Sequence, residues 1–501
     1  MEKDYKRHIF RGFTIILIMT ILGTIVSYIF RLVLARNLTV SDYGLFYSLY
    51  AVFSIIFVLR DFGLGSAIIK YIPEYLVKKQ FTKVKISIFL ACFMTTLSGM
   101  VLGILCILFS QNIASAYVKD SNQAFLVILM AIMFLFMTIE ALIMNVLISF
   151  QNHKAYALVQ FLRQLLPLIF VSVLFINEKR VDYAMYATIL SSLVILSIFG
   201  TMLIKKVNRI KGSIKQPFAD KTILKNMLTF GLSITLVGIG GMVLQFTDTI
   251  MITFFLGTTA SGVYNAALPI ANILSYLSTA LVIIILPLTS ELWAKRLKSK
   301  LTDGLAFFYK YSALLILPFV VVVIAFADVI ISLLFTQKYI SAAPALQILV
   351  VGCFLYFIAQ INFCILSGIG KPRITAIIIF TGAILNIILN SILIPSYGII
   401  GAAIATSIGY GVMLVSSIMV LRKYVKLKIP FLHWIKTLIL SLALLLMIIL
   451  MRTLLKLNPY IEIIIIAAIG AAFYIGLAFL IRHIDTNEIK DTLSLLKKEK
   501  Q

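Results

Sequence analysis

Long apolar runs alternate with short polar segments from one end of the chain to the other. A helix crossing the hydrocarbon core of a bilayer needs roughly 20 apolar residues. Cutting at charges, prolines and polar turns leaves fourteen runs of that order, starting near residues 12, 43, 83, 121, 154, 182, 225, 262, 306, 341, 372, 397, 432 and 460. The stretch between Arg373 and Arg422 carries no charge, and there the turn Pro395-Ser396-Tyr397-Gly398 supplies the cut. The pattern predicts an all-α polytopic membrane protein with about 14 transmembrane helices.

The polar punctuation also repeats. Gly23 and Gly241, Gly44 and Gly262, Ser149 and Ser367, Thr188 and Thr406, and Lys205 and Lys423 are each 218 positions apart. Matches between apolar residues carry little information in so apolar a chain, so glycines, polar residues and charges are what count. Their common register predicts a duplicated unit: a six-helix lobe over 1–205, a basic cytoplasmic linker over 206–224, a second six-helix lobe over 225–424, and an appended helix pair with a cytoplasmic tail over 425–501. Six is even, so both repeats insert the same way round and are expected to be related by an axis along the membrane normal.

Composition agrees with a lipid-solvated chain. Of 501 residues, 61% are hydrophobic and 13% charged, and the mean hydropathy is +1.07, which excludes a soluble globule. In a soluble protein a formal charge of +25 would suggest nucleic acid; here the cations sit in short loops, so no nucleic-acid partner is expected and membrane lipids are. Alternate segments hold 34 lysines and arginines against 7 in the others, which places both termini in the cytoplasm of a cell-membrane protein. Trp293 and Trp434 flank basic segments, where an interfacial belt would put them. Outer loops are short, so no extracytoplasmic domain is expected, nor use of the sequon at Asn37. The first apolar run is too long for a cleavable signal peptide. Cys92, Cys106, Cys353 and Cys364 lie inside apolar runs without metal or redox spacing and read as reduced packing residues.

Ionisable residues inside the bilayer are the candidates for function, because each costs about 2.5 to 3.5 kcal/mol at a helix centre. They are Arg31 on helix 1, Arg60 and Asp61 near the cytoplasmic end of helix 2, Glu140 on helix 4, Arg163 on helix 5 and Asp248 on helix 7. Arg60 and Asp61 read equally as interfacial snorkelling, and the deeper four as either a polar cavity or structural ion pairs. Asp248 lies 218 positions beyond Phe30, the neighbour of Arg31, so helices 1 and 7 carry opposite charges at matching depth. Gly23, Gly238, Gly240 and Gly241 are hinge or close-packing candidates, and Pro167, Pro269 and Pro318 are expected to kink their helices. Enzyme signals fail: Gly368-Ile369-Gly370-Lys371-Pro372 lacks Walker spacing, and His8, His153, His433 and His483 form no metal-ligand set. No cofactor, metal or catalytic constellation is expected.

The segments LVLARNLTVSDYGLFYSLYAVFSII and LRDFGLGSAIIKYIPEY, from Leu32 to Tyr75, resemble the opening of the Wzx-like polysaccharide and oligosaccharide flippases of the multidrug/oligosaccharidyl-lipid/polysaccharide exporter superfamily. The turn Ser367 to Pro372 looks like the second-repeat counterpart. The resemblance covers essentially the whole chain. It implies a V-shaped pair of lobes around a polar cavity that moves undecaprenyl- or dolichyl-linked sugars by alternating access for surface glycan synthesis, without enzymatic chemistry. Its partners would be a polyprenyl-linked glycan and glycan-assembly proteins. Relatives handling diphosphate lipids tend to have a cationic cavity, which makes Arg31, Arg60 and Arg163 the implied substrate-binding residues and Asp61, Glu140 and Asp248 the implied cavity or coupling charges. Here three intramembrane cations meet three acids, and that leaves the sign of the cavity open. The alternatives are a cation-coupled drug or metabolite exporter and a membrane glycan polymerase or ligase.

Overall fold

In hydrocarbon a backbone amide has no water to bond, so each spanning segment must satisfy its own N–H and C=O groups. The computed structural model describes residues 2–210, 221–455 and 458–481, and among these it contains helices and turns but no strand. Twelve described spans are long and apolar enough to cross a membrane. The difference from fourteen has two sources. One helix, Pro372–Leu421, takes up two expected runs, and its backbone departs from helix only at Gly398 (φ 61°, ψ −142°), at the end of the turn read from the sequence. The run expected from 262 divides at Asn272 into Thr258–Ala271 and Ile273–Ala294, and the second piece, 22 residues long, includes positions whose side chains lie outside the described residues and is not among the twelve. The middle of the basic linker, 211–220, and the tail beyond 481 lie outside the described residues.

By packing, the chain forms two units. The first comprises Met1–Ala266 with Ile387–Ala402. It is built from α1 (Glu2–Asn37), α2 (Val40–Phe57), α3 (Leu64–Val77), α4 (Phe81–Leu108), the single turn α5 (Ser110–Ile113), α6 (Ala124–Ser149), α7 (His153–Leu174), α8 (Val181–Ile195), α9 (Thr201–Arg209) and α10 (Lys221–Leu256), with the start of α11 (Thr258–Ala271). Helix α1 lies on α7, α7 on α8, and α6 between α4 and α8, while α10 packs on α2 and α3. Leu64, Ile68, Leu90, Leu147, Val159 and Met227 are fully buried at the centre of one core. Helix α2 begins with a cap: the Thr39 hydroxyl accepts from the Asp42 amide at 3.1 Å and donates to its carboxylate at 2.7 Å. Beyond α2 the chain turns through a 3-10 segment, Val58–Asp61, and two left-handed residues, Phe62 (φ 46°) and Gly63 (φ 73°), before α3. The turn falls at Arg60 and Asp61, where the sequence put the cytoplasmic end of helix 2.

The second unit comprises Ala267–Asn386 and Ala403–Gln501. It contains α12 (Ile273–Ala294), α13 (Lys298–Ala325), α14 (Ala327–Phe335), α15 (Ala343–Gly368), most of α16 (Pro372–Leu421), α17 (Phe431–Leu455) and α18 (Pro459–Leu480). Helix α15 packs on α12 and α13. The appended pair α17 and α18 docks on α13 and α14 through Phe326, Leu444, Ile448 and Ile466. Arg452 fastens it, meeting Glu462 and Asp328 at 3.1 Å each and the Ala325 carbonyl. Trp434 Nε1 donates to the Tyr309 carbonyl at 3.1 Å. Packing therefore groups α10 with the N-terminal helices rather than following the repeat boundary near 205–225.

Candidate functional site

The polar residues of the first unit gather along a seam of α1, α2, α10 and α11. Arg31 lies on the last third of α1, half-buried, its guanidinium 4.0 Å from the centre of the Tyr47 ring. Its Nη1 donates to the Asn265 carbonyl at 3.3 Å, and the Tyr43 hydroxyl donates to the same oxygen at 3.2 Å. A cation on an aromatic face with a carbonyl partner is a favourable lodging for charge away from bulk water. Asp248, almost fully buried on α10, accepts from the Tyr264 hydroxyl and from the Asn390 amide, the latter at 2.8 Å. Between these ends Ser48 bonds Thr253 at 2.6 Å and Ser261 at 2.9 Å.

This seam obeys the 218-residue register. Phe30 stacks edge-on to Phe46, and 218 positions later Asp248 meets Tyr264. Arg31 sits over Tyr47, and 218 positions later Thr249 bonds Asn265 at 3.3 Å. The helix starts also touch reciprocally: a methyl group on Gly44 would overlap the Thr258 carbonyl, and one on Gly262 would overlap the carbonyl of Val40, the register-equivalent of Thr258. Contact of i with j′ and of i′ with j is what a local two-fold axis requires.

The other sequence candidates fall elsewhere. Arg163 and Glu140 meet each other, Nε to Oε1 at 2.9 Å, in ion-pair contact rather than an aligned hydrogen bond. Ser192 donates to the other Glu140 oxygen at 2.8 Å. Arg60 donates to the Phe57 carbonyl at 3.1 Å, and Asp61 accepts from the Gly63 amide at 2.8 Å, so both brace the break between α2 and α3. Gly23 packs 3.5 Å from Gln164 by its notional Cβ, whereas Gly238 and Gly241 face open space within an unbroken α10. Close packing explains the first of these and not the other two; Gly240 lies in the same unbroken helix. Attention to charge alone had passed over Tyr47, Tyr264, Asn265 and Asn390. The spacing of Asn386 and Asn390, i and i+4 in an otherwise apolar helix, was the available signal.

A family model described as a polysaccharide biosynthesis protein matches residues 9–293. The chain belongs to this family. A second model, MatE, matches residues 234–392, so both halves fall within the superfamily that the opening motif resembles. An uncharacterized membrane protein of Methanocaldococcus jannaschii is 31% identical over 99% of this chain and 100% of its own length. The probable low-salt glycan biosynthesis flippase Agl15 of Haloferax volcanii is 25% identical over 79% of this chain and 80% of its own. Among solved structures, lipid II flippase MurJ in an inward-closed conformation superposes with a TM-score of 0.74 at 16% identity, covering 93% of this chain and 98% of that one. At that identity the likeness concerns the fold. An inward-facing multidrug resistance MATE family transporter gives a TM-score of 0.59 at 18% identity over 82% of this chain and 97% of that one. The seam on α1, α2, α10 and α11 follows the 218-residue register and carries Arg31 and Asp248.

Proposed function

We propose that this protein flips a polyprenyl-linked oligosaccharide across the cytoplasmic membrane by alternating access, for the assembly of a surface glycan. The observation that carries the reading is the Arg31 site within a chain of the polysaccharide biosynthesis family: an intramembrane guanidinium held on an aromatic face. Its planar fork suits a phosphate bidentately, while the glycan is limited by volume rather than by individual bonds. Six-helix lobes over 1–205 and 225–424, related by a membrane-normal axis, would rock against one another, with Gly238, Gly240 and Gly241 as points of bending. Arg60 and Arg163 are secondary in this scheme, the first bracing a turn and the second bound to Glu140. The glycan-linked lipid is the partner, and transport rather than catalysis is the activity.

The test is surface glycan in a deletion strain complemented by each variant, with membrane abundance followed by blot. Arg31→Ala should abolish the glycan at normal abundance, and Arg31→Lys, which keeps the charge but loses the fork, should retain part of it. Full glycan from Arg31→Ala at normal abundance would remove the reading. The buried Asp248 with its Tyr264 and Asn390 partners favours a second reading, a cation-coupled exporter of drugs or metabolites. Concentration of fluorescent organic cations by inverted vesicles would select it.

A further inference from the structure

One cavity lies apart from the seam. It occupies about 820 Å³ between α3 and the first turns of α10, a volume in the range of small-molecule sites. Lys70 and Lys225 line it from the two helices, with Asn226, Thr229 and Ser233 further along the α10 wall. Positions 225, 229 and 233 follow one another at i+4 and so share a face. Ser233 lies eight residues beyond Lys225, about 12 Å along the helix axis at 1.5 Å per residue. The slot therefore grades from ammonium groups at the basic end to hydroxyls within the span.

Lys70 is solvent-exposed but makes defined contacts. Its Nζ stands 4.2 Å from the centre of the Phe230 ring and 4.6 Å from that of Tyr71, and it donates to the Tyr71 hydroxyl at 3.4 Å. The two rings meet edge to face at 6.0 Å, which ties α3 to α10 at this point. Among the described residues lining the cavity there is no acidic side chain. Glu74, one turn along α3 from Lys70, has its carboxylate taken by Lys78 at 2.6 Å. Ser233 spends its hydroxyl on the Thr229 carbonyl at 2.9 Å. The polar wall is therefore two ammonium groups with the Asn226 amide and the Thr229 hydroxyl, a set that favours a dense anion, and lysine binds phosphate as a point charge.

We infer that this cavity binds the phosphate-bearing head of a prenyl-linked lipid, receiving it at the basic end of the chain before it reaches Arg31. The identity of the lipid rests on the flippase reading; the phosphate site rests on the cavity. The experiment uses the purified full-length protein in detergent with three probes: farnesyl diphosphate, dioleoyl phosphatidylglycerol and inorganic diphosphate. Lys70→Gln with Lys225→Gln should weaken farnesyl diphosphate binding at least tenfold, about 1.4 kcal/mol. Lys70→Arg with Lys225→Arg should restore most of it, and both variants should elute as the wild type does on size exclusion.

Unchanged binding of every probe in the glutamine variant would overturn the site. Lysine dependence confined to phosphatidylglycerol would overturn the carrier assignment in favour of a bilayer lipid, and dependence confined to inorganic diphosphate would overturn the lipid altogether. Because binding is read on purified protein, a negative result here leaves the export reading standing on its own test in cells.

Discussion

At the scale of single residues, Arg31 and Arg163 are lodged in different ways, and the proposed function predicts that their substitutions fail differently. Glu140 is 1% exposed and its companions are Arg163 and Ser192. Removing one member of such a buried pair leaves an uncompensated charge and costs roughly 3 kcal/mol or more. Arg163→Ala should therefore lower the thermal unfolding midpoint of the purified protein markedly. The double change Arg163→Gln with Glu140→Gln should cost less than the two single changes summed, since it removes both charges at once. Additive losses would show that the pair is not coupled. Arg31→Ala should shift that midpoint less, because Arg31 is half-buried on the Tyr47 face and the Asn265 carbonyl it bonds keeps the Tyr43 hydroxyl as a donor. The sequence identified Arg163 and Glu140 as charged and deep but gave no means of pairing them. They lie 23 positions apart on consecutive helices, and only the packing of α6 against α7 fixes which faces meet.

At the scale of elements, the most telling contact is backbone on backbone where α2 and α11 begin. Carbonyl oxygens occupy the space that a Cβ on Gly44 or Gly262 would need, so neither neighbour can yield by a change of rotamer. A comparable contact joins Gly63 to Gly231, where a methyl group on either would overlap the other's backbone. Alternating access would require the two contacts to part in turn. Ser41 and Thr258 hold their hydroxyls 2.9 Å apart beside the first contact. Ser41→Cys with Thr258→Cys should cross-link under mild oxidant and stop glycan export until a reductant is added; export unaffected by full cross-linking would mean this contact never opens. Gly44→Ala in that background should reduce the cross-linked fraction, since the helices must separate to admit the methyl group. Gly44 and Gly262 were legible because, unlike Gly63 and Gly231, they stand in the 218-residue register. Their partners were not, since a repeat in sequence says which residues are equivalent and not which ones touch. The break at Gly398 was legible from its proline and glycine, and the end of α2 from Arg60 and Asp61, whereas the left-handed φ of Phe62 was not, because a phenylalanine gives no turn signal.

At the scale of the whole molecule, hydropathy and the spacing of polar residues carry the fold class, since in lipid the backbone leaves no alternative to helices. The direction in which the helices cross rests on the distribution of lysine and arginine alone. Under the proposed function that direction governs the rest of the mechanism, because a lipid-linked glycan assembled on the cytoplasmic leaflet would meet the Lys70 and Lys225 cavity from the cytoplasmic side. In a background lacking Cys92, Cys106, Cys353 and Cys364, Lys119→Cys should react with a membrane-impermeant maleimide in intact cells. Lys79→Cys and Lys295→Cys, in the loops before α4 and α13, should react only after permeabilisation. Labelling of Lys79→Cys in intact cells would reverse the orientation. The cavity would then face the outer leaflet, where a phosphate head arrives only after translocation, and the two lysines would have to release the carrier rather than receive it.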